Sequence, residues 1–150
     1  MRLALFALAL AGMTVAAARA ADKAADDLAK LKGAWKVMGA GTYVVNPDSL
    51  KPFRKDRKTA NTVQFEGDKV KFLLDGAALS EFTVKLDPSK SPAAIDFVGD
   101  GKTYPGIYEL KDDTVRLCIL EGKDRPTDIT GNKHAFGQVG MIAFTLKRSK

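Results

Sequence analysis

The sequence predicts an all-β protein in which eight antiparallel strands, connected in order, close into an up-and-down barrel behind a short N-terminal helix. Three observations support this prediction. From residue 62 onward, apolar and polar residues alternate with the period of two that half-buried strands require. Turn residues such as Asp75-Gly76 and Asp100-Gly101 separate the alternating runs. The runs are joined by segments without the helical period that a parallel crossover needs.

The first twenty residues are predicted to be an export signal rather than part of the fold. Arg2 provides a positive start, an apolar stretch runs to Val15, and small residues precede a cleavage point after Ala20. That stretch is too short for a membrane span. The predicted organisation is a signal peptide, residues 1–20, and one barrel domain, residues 21–150. We expect a periplasmic or secreted protein that does not span a membrane.

Charge and cysteine content limit the classes of function. Loss of Arg2 and Arg19 with the signal lowers the formal net charge from +6 to +4, which by itself is no nucleic-acid signature. The single cysteine, Cys118, cannot form an internal disulfide. The lone histidine, His134, lacks an evident partner for nucleophilic catalysis, and one histidine with one cysteine is too few ligands for a zinc site. We therefore expect no enzyme activity, no cofactor and no bound metal.

The elements follow in order along the chain. Asp22–Lys32 predicts a helix, because its first turn is acidic, its last turn is basic and Gly33 follows. After Gly33 the period changes to two, which places Trp35 and Val37 on one side of the first strand. The other strands are predicted at 62–66, 69–75, 81–87, 94–98, 104–110, 114–120 and 141–147.

The phase of each strand predicts the barrel interior. Large apolar residues recur at every second position, with mainly charged residues and threonines between them. The predicted inward side chains are Trp35, Val37, Val63, Phe65, Val70, Phe72, Leu74, Phe82, Val84, Leu86, Ile95, Phe97, Tyr104, Tyr108, Leu110, Val115, Leu117, Ile119, Ile142, Phe144 and Leu146.

Two long connections, residues 46–61 and 122–139, interrupt the rhythm of the strands. Loops of such length in a compact domain are usually functional. The first is strongly basic and is a candidate anion-binding loop for a protein partner or an anionic envelope surface, whereas the alternative is a solvated loop with no partner. Its one aromatic residue is too little for base stacking, so we expect no nucleic acid. The candidate anion-binding residues are Lys51, Arg54, Lys55, Arg57 and Lys58.

An eight-stranded barrel is close to the size at which the interior either is filled or holds one small ligand. The first hypothesis is a non-enzymatic barrel that binds a small apolar or amphipathic molecule at its mouth, with Phe53, Tyr104, Tyr108 and Phe136 as ligand-binding candidates. The alternative is a filled barrel that serves as a protein-interaction or envelope-associated module. A more remote hypothesis is an enzyme built from carboxylates at the mouth.

The strand phase also predicts an apolar patch on the outside of the barrel, which should be covered. The N-terminal helix, through Leu28 and Leu31, is the first candidate for the cover and a dimer partner is the second, so we expect a monomer or a weak dimer. Arg116 is expected to face outward. The patch consists of Ile107, Cys118, Leu120, Met141 and Ala143.

Several strings, in order, carry a family resemblance: LKGAWKV, FEGDKVKF, LDPSKSPAAIDF, GKTYPGIYEL, DDTVRLC and RPTDI. The chain resembles the uncharacterised lipocalin-like domain family that is abundant in planctomycete bacteria, over roughly Leu31 to Arg148. The resemblance implies an exported or envelope-associated lipocalin-like barrel of undetermined activity, and it supplies no catalytic or ligand-binding residues. Gly33-x-Trp35 is similar to the lipocalin signature, which implies that Trp35 packs at the closed end of the barrel under Arg148 or Lys147.

Overall fold

The computed structural model describes residues 10–44, 48–130 and 140–150. One helix precedes ten strands and a single turn of 3₁₀ helix. Their bounds are α1 Leu10–Leu31, β1 Gly33–Val44, the 3₁₀ turn Lys51–Phe53, β2 Arg54–Lys55, β3 Lys58–Thr59, β4 Thr62–Glu66, β5 Lys69–Leu74, β6 Ala77–Asp87, β7 Ala93–Gly99, β8 Lys102–Lys111, β9 Thr114–Leu120 and β10 Gly140–Arg148.

Eight of these strands form one closed antiparallel barrel, which confirms the predicted fold class. The order around the barrel is β1-β10-β9-β8-β7-β6-β5-β4, so that each strand lies beside its neighbours in the chain and the first strand pairs with the last. Closure leaves each long strand with partners on both sides and removes most exposed sheet edges. The short strands β2 and β3 form a separate hairpin, where the sequence predicted a loop.

The predicted turn chemistry is present at two of the two-residue hairpins of the barrel, β5–β6 and β7–β8. Asp75 and Gly76 have φ values of 51° and 83°, and Asp100 and Gly101 have values of 51° and 71°. Positive φ at both central positions defines the type I′ turn, whose twist matches that of the flanking strands. These turns lie at the end of the barrel that also carries β2 and β3, which we call the hairpin end. The end at which α1 meets β1 is the closed end.

The predicted inward side chains fill the barrel. Those buried in one continuous cluster include the large aromatic residues Trp35, Phe65, Phe72, Phe97 and Phe144. Burial of a side chain of this size contributes roughly 1.5–3 kcal/mol, so the cluster is the main source of stability. The period of two therefore predicted the inner face of the barrel strands, except that Leu74 lies outside the interior cluster and lines a groove at the hairpin end. Arg116 is exposed, as its phase predicted.

The helix α1 starts at Leu10, twelve residues before the predicted start at Asp22, and continues through the predicted cleavage point. The alanine-rich residues before Asp22 have high helix propensity, which accounts for the extension. The export signal stays a prediction. The helix ends at Leu31, and Gly33 then adopts φ 115°, a conformation that L side chains rarely adopt.

The outer apolar patch is covered, but α1 is not the cover, so that expectation was wrong. Leu31 is buried in the interior cluster, and Leu28 packs against the same cluster. The outer patch instead packs against Ile129, from the second long connection. The connection is attached to the barrel wall by Arg125, which donates to the carbonyls of Ile95 and Gly106 and forms an ion pair with Asp96 at 2.7 Å. The last turn of α1 packs onto the interior cluster at the closed end instead.

Candidate functional site

A groove with a volume of about 1180 Å³ lies at the hairpin end. We call it the basic groove, because all five basic residues predicted for anion binding line it. The β5–β6 hairpin forms another wall of the groove, with four apolar residues and Asp75. The lining residues are Thr42, Lys51, Arg54, Lys55, Asp56, Arg57, Lys58, Leu74, Asp75, Ala77, Ala78 and Leu79.

The β2–β3 hairpin presents these basic side chains on a tight turn. Lys55 pairs with Lys58, and the two residues between them, Asp56 and Arg57, have φ values of 49° and 64°. This is again a type I′ geometry, in which asparagine or aspartate followed by glycine is preferred. An arginine in the left-handed region costs about 1–2 kcal/mol relative to its ordinary conformation. The chain thus has a cation at a position where the backbone favours glycine.

Phe53 anchors this hairpin inside the barrel. It ends the 3₁₀ turn, and its side chain is fully buried. Its ring stacks on Phe82 at a centroid distance of 5.4 Å, and it meets the edges of Phe72 and Tyr104 at 4.8 and 5.3 Å. Aromatic pairs in such geometries contribute about 0.5–1.5 kcal/mol each beyond burial alone. The side chain therefore fills the mouth of the barrel and fixes the basic groove above it.

Hydrogen bonds attach the same segment to the barrel wall. The Ala60 amide donates to the Phe53 carbonyl at 2.9 Å, and the Ser80 hydroxyl donates to the Pro52 carbonyl. The amide of Leu50, a buried residue with φ 61°, donates to Oε2 of Glu121 at 3.1 Å. The plug, residues 50–53, is thus held by packing and by hydrogen bonds to Ala60, Ser80 and Glu121.

The charges of the basic groove are unevenly neutralised. Lys51 forms an ion pair with Asp48 at 2.8 Å. Within the described ranges, Arg54, Lys55, Arg57 and Lys58 form no ion pair. The groove is lined by five basic residues and by only two acidic ones, so its lining has a net positive charge. A concave surface of one sign attracts anions and increases their local concentration.

A bulge in β1 opens the barrel wall beside the groove. Val37 pairs with Leu146, but Gly39 pairs with Thr145, so that Met38 is an extra residue in the strand. Before the bulge β1 pairs with β4 as well as β10, whereas after it the described strand pairs with β10 alone. Bulges bend a strand and end pairing at barrel rims. The upper part of β1, including Thr42, is therefore exposed to solvent.

At the closed end, by contrast, the polar and charged side chains described next have hydrogen-bond or ring partners. The Trp35 side chain is buried, and its Nε1 donates to the Leu31 carbonyl at 2.7 Å. The guanidinium carbon of Arg148 lies 4.3 Å from the centroid of the Trp35 ring. Arg148 also donates to the carbonyls of Lys30 and Lys32 at the end of α1, where a positive charge is favourable. Of the two basic residues proposed to cover Trp35, the structure places Arg148 there.

A buried carboxylate attaches α1 to the same end of the barrel. Oδ2 of Asp27 accepts a hydrogen bond of 2.6 Å from the Tyr108 hydroxyl, and Lys23 lies 3.2 Å from the same oxygen. Asp27 and Tyr108 are both almost fully buried. Burial, together with the hydrogen bond to Asp27, raises the pKa of Tyr108 well above its usual value. The protonated hydroxyl therefore contributes to the attachment of the helix.

The four ligand-binding candidates do not form one site. Phe53 and Tyr104 are in contact at the hairpin end, but both are buried in the core cluster. Tyr108 lies four residues further along β8, about 13 Å away, and binds α1 at the closed end. The prediction that Tyr108 lies at the mouth was therefore wrong. Alternation along a strand predicts which side chains face inward, but it does not predict which end of the barrel they occupy. Phe136 lies outside the described residues.

Cys118 belongs to the covered outer patch and is fully buried. Burial, with a smaller contribution from Asp128, raises the pKa of the Cys118 thiol to about 11. The thiolate is the reactive form, so this cysteine behaves as a small apolar side chain near neutral pH.

Sequence reasoning found the cations of the groove but missed its other parts. Ser80 and Glu121, which hold the plug, and Leu79, on the apolar wall, were not identified. One signal was present: Leu50 and Phe53 are the large apolar residues of an otherwise polar loop, which is typical of an anchored segment.

The molecule is thus a filled eight-stranded antiparallel barrel with a basic groove at one end. Comparison with protein-family models, with curated proteins and with solved structures finds no match to this chain. No helix among the described residues is long and apolar enough to cross a membrane. The described residues contain no group of three or more histidine, cysteine or acidic side chains that could hold a metal ion.

Proposed function

We propose that the protein is an exported, non-enzymatic barrel of the lipocalin-like class that binds an anionic ligand in the basic groove. The observation that carries the proposal is the convergence of five basic residues on one groove, of which four form no ion pair within the described chain. Exposed cations on a rigid concave surface are suited to anionic groups, and arginine suits carboxylate and phosphate in particular.

The apolar wall of the groove indicates an amphipathic ligand. The apolar residues Leu74, Ala77, Ala78 and Leu79 line the groove together with the β2–β3 hairpin, which we call the basic hairpin. A molecule with an anionic head and an apolar portion could contact both walls at once. This proposal keeps the amphipathic ligand of the first hypothesis and the basic loop of the alternative, but locates binding on the rim rather than among the interior aromatic residues.

The position of Phe53 argues against a ligand inside the barrel in this conformation. Its ring occupies the space between Phe72, Phe82, Phe97 and Tyr104, where an interior ligand of the first hypothesis would lie. A ligand could enter only if residues 50–53 withdrew, which would break the packing and hydrogen bonds of the plug. The groove requires no such change.

Titration with dodecyl phosphate below its micellar concentration tests the proposal, with dodecyl maltoside as the uncharged control. We expect the anionic amphiphile to bind more tightly and its affinity to fall as salt is added, because exposed charges are screened within about 10 Å at 0.1 M salt. The double variant Arg54→Glu, Arg57→Glu should lower the affinity by about tenfold or more.

The matched control is Lys85→Glu, Lys111→Glu, which changes the net charge by the same amount at exposed positions outside the groove. This control should bind as the unmodified protein does. Equal losses of affinity in the two double variants would mean that overall charge causes the effect, which would contradict a specific site. Equal binding of the charged and uncharged amphiphiles would contradict an anionic ligand.

A further inference from the structure

One edge of β1, beside the basic groove, has no strand partner among the described residues. Below the bulge at Met38 the strand has a neighbour on each side, but Gly39–Val44 pairs only with β10 within the described chain. Residues 38–42 are all exposed, and Thr42 lines the groove. The main chain here therefore presents amide and carbonyl groups to solvent on its second edge.

The unpaired edge lacks the usual protection against another strand. Proteins block exposed edges with charged residues, prolines or bulges that turn the edge away. No charged residue occurs between Lys36 and Asp48 in the sequence, and the first proline after the bulge is Pro47. The bulge at Met38 opens this edge rather than closing it, because it separates β1 from β4.

Nothing among the described residues requires glycine at the two glycine positions of this edge. Gly39 and Gly41 do not have the positive φ that favours glycine, and a methyl group on either would meet no atom within 4 Å. Glycine in a strand interior weakens the strand and often marks a place where another backbone comes close. An incoming backbone is a use for these two positions that is consistent with the open edge.

The charge of the surroundings selects the kind of partner. The basic hairpin carries Arg54, Lys55, Arg57 and Lys58 along the groove that Thr42 lines. A second copy of the chain, paired edge to edge, would bring two such hairpins together, and like charges in one interface cost free energy. An acidic segment would instead gain favourable interactions with the same side chains.

We propose that an extended acidic segment of a partner protein binds by adding as a strand to the Gly39–Thr42 edge of β1, with its acidic side chains toward the basic hairpin. This is the β-strand addition mode, in which main-chain hydrogen bonds provide affinity and side chains provide selectivity. The inference rests on the proposed function, since it names the ligand of the same groove.

The experiment uses the full-length protein and a short peptide that alternates Glu with Val, and measures the dissociation constant by calorimetry. Two modified peptides carry N-methyl groups on alternate residues, one on the Glu positions and the other on the Val positions. In an added strand, every second peptide N–H points toward β1 and the others point away. We expect one methylated peptide to bind about tenfold or more weakly and the other to bind nearly as the parent does.

Equal binding of the two methylated peptides would overturn strand addition. If the charge-reversal variant Arg54→Glu, Arg57→Glu nevertheless bound the peptide more weakly, the proposal of an anionic ligand in the groove would stand. If charge reversal left peptide affinity unchanged, the proposed function would fail, while asymmetric methylation would still report edge pairing. Absence of peptide binding would overturn the inference alone if dodecyl phosphate still bound.

Two further outcomes concern the occupant of the edge. A dimer in sedimentation experiments that the peptide does not dissociate would assign the edge to a second copy and overturn the inference. Binding to vesicles of anionic lipid that the peptide does not compete with would assign the groove to a membrane surface, with the same consequence. The double variant Lys85→Glu, Lys111→Glu, at exposed positions outside the groove, is the matched control and should bind the peptide as the unmodified protein does.

Discussion

The two ends of the barrel differ in whether their charged side chains have partners among the described residues. At the closed end Arg148 is surrounded by carbonyl groups, an aromatic face and Asp113, and the carboxylate of Asp27 is bound by Tyr108 and Lys23. At the hairpin end most of the basic side chains in the groove have no ion partner within the described residues. The comparison indicates that the closed end stabilises the fold, whereas the basic side chains of the hairpin end are available to bind an anion.

The largest effect is expected from Trp35→Ala at the closed end. The change removes a fully buried side chain and its hydrogen bond to the Leu31 carbonyl, so we expect the free energy of unfolding to fall by roughly 3–5 kcal/mol. Urea unfolding measures the loss. A fall below about 1 kcal/mol would contradict the structural role of this end.

Phe53→Ala should cost about 3 kcal/mol and have a second consequence that Trp35→Ala does not share. The missing ring leaves an apolar space lined by Phe72, Phe82 and Tyr104, and such spaces bind small apolar molecules. We expect benzene to raise the thermal midpoint of the variant but not that of Phe53→Leu. No benzene effect would mean that the interior collapses onto the vacancy.

Tyr108→Phe tests the closed end through pH. Because the folded protein raises the pKa of this hydroxyl above its usual 10.0, its contribution is complete below pH 10 and is lost as pH rises further. The unmodified protein should exceed the variant by about 1 kcal/mol at neutral pH and lose about 1.4 kcal/mol per pH unit relative to it above pH 10. Denaturation on both sides of pH 10 measures this, and a constant difference would disprove it.

The smallest expected effect comes from Arg57→Gly in the turn of the basic hairpin. Glycine relieves the positive φ, so we expect a gain of about 0.5–1 kcal/mol in hairpin stability together with weaker binding of anions. Hydrogen exchange of the hairpin amides measures the gain. Arg54→Gln, which removes a charge without changing a positive φ, should weaken anion binding without that gain.

Residues of the inner face could be predicted because their signal is local. Val63, Phe82 and Val84 each stand in a run of strict alternation, and the turns between runs have characteristic residues. The bulge at Met38 could not be predicted, because the small residues after it break the alternation in either register. The period of two thus determined the barrel but not the place where its wall opens.

Only part of the candidate site could be predicted from the sequence, for a similar reason. The cations of the groove occur as a cluster in the sequence, whereas the burial of Phe53 depends on rings from strands β5 to β8. The cover of the outer patch depends on Ile129, in a connection whose sequence has no strand or helix period. Contacts between distant segments leave no periodic signal.

The pairing of the first barrel strand with the last has a consequence for folding kinetics. Trp35 on β1 lies opposite Arg148 on β10, so the ring of strands closes only when nearly the whole chain is present. Contacts over such a sequence distance slow folding, because loop closure must precede the gain from pairing. During synthesis the hairpins can form one after another, but β1 and β9 keep open edges until the final strand emerges. The time between these events is when the chain is most exposed to aggregation.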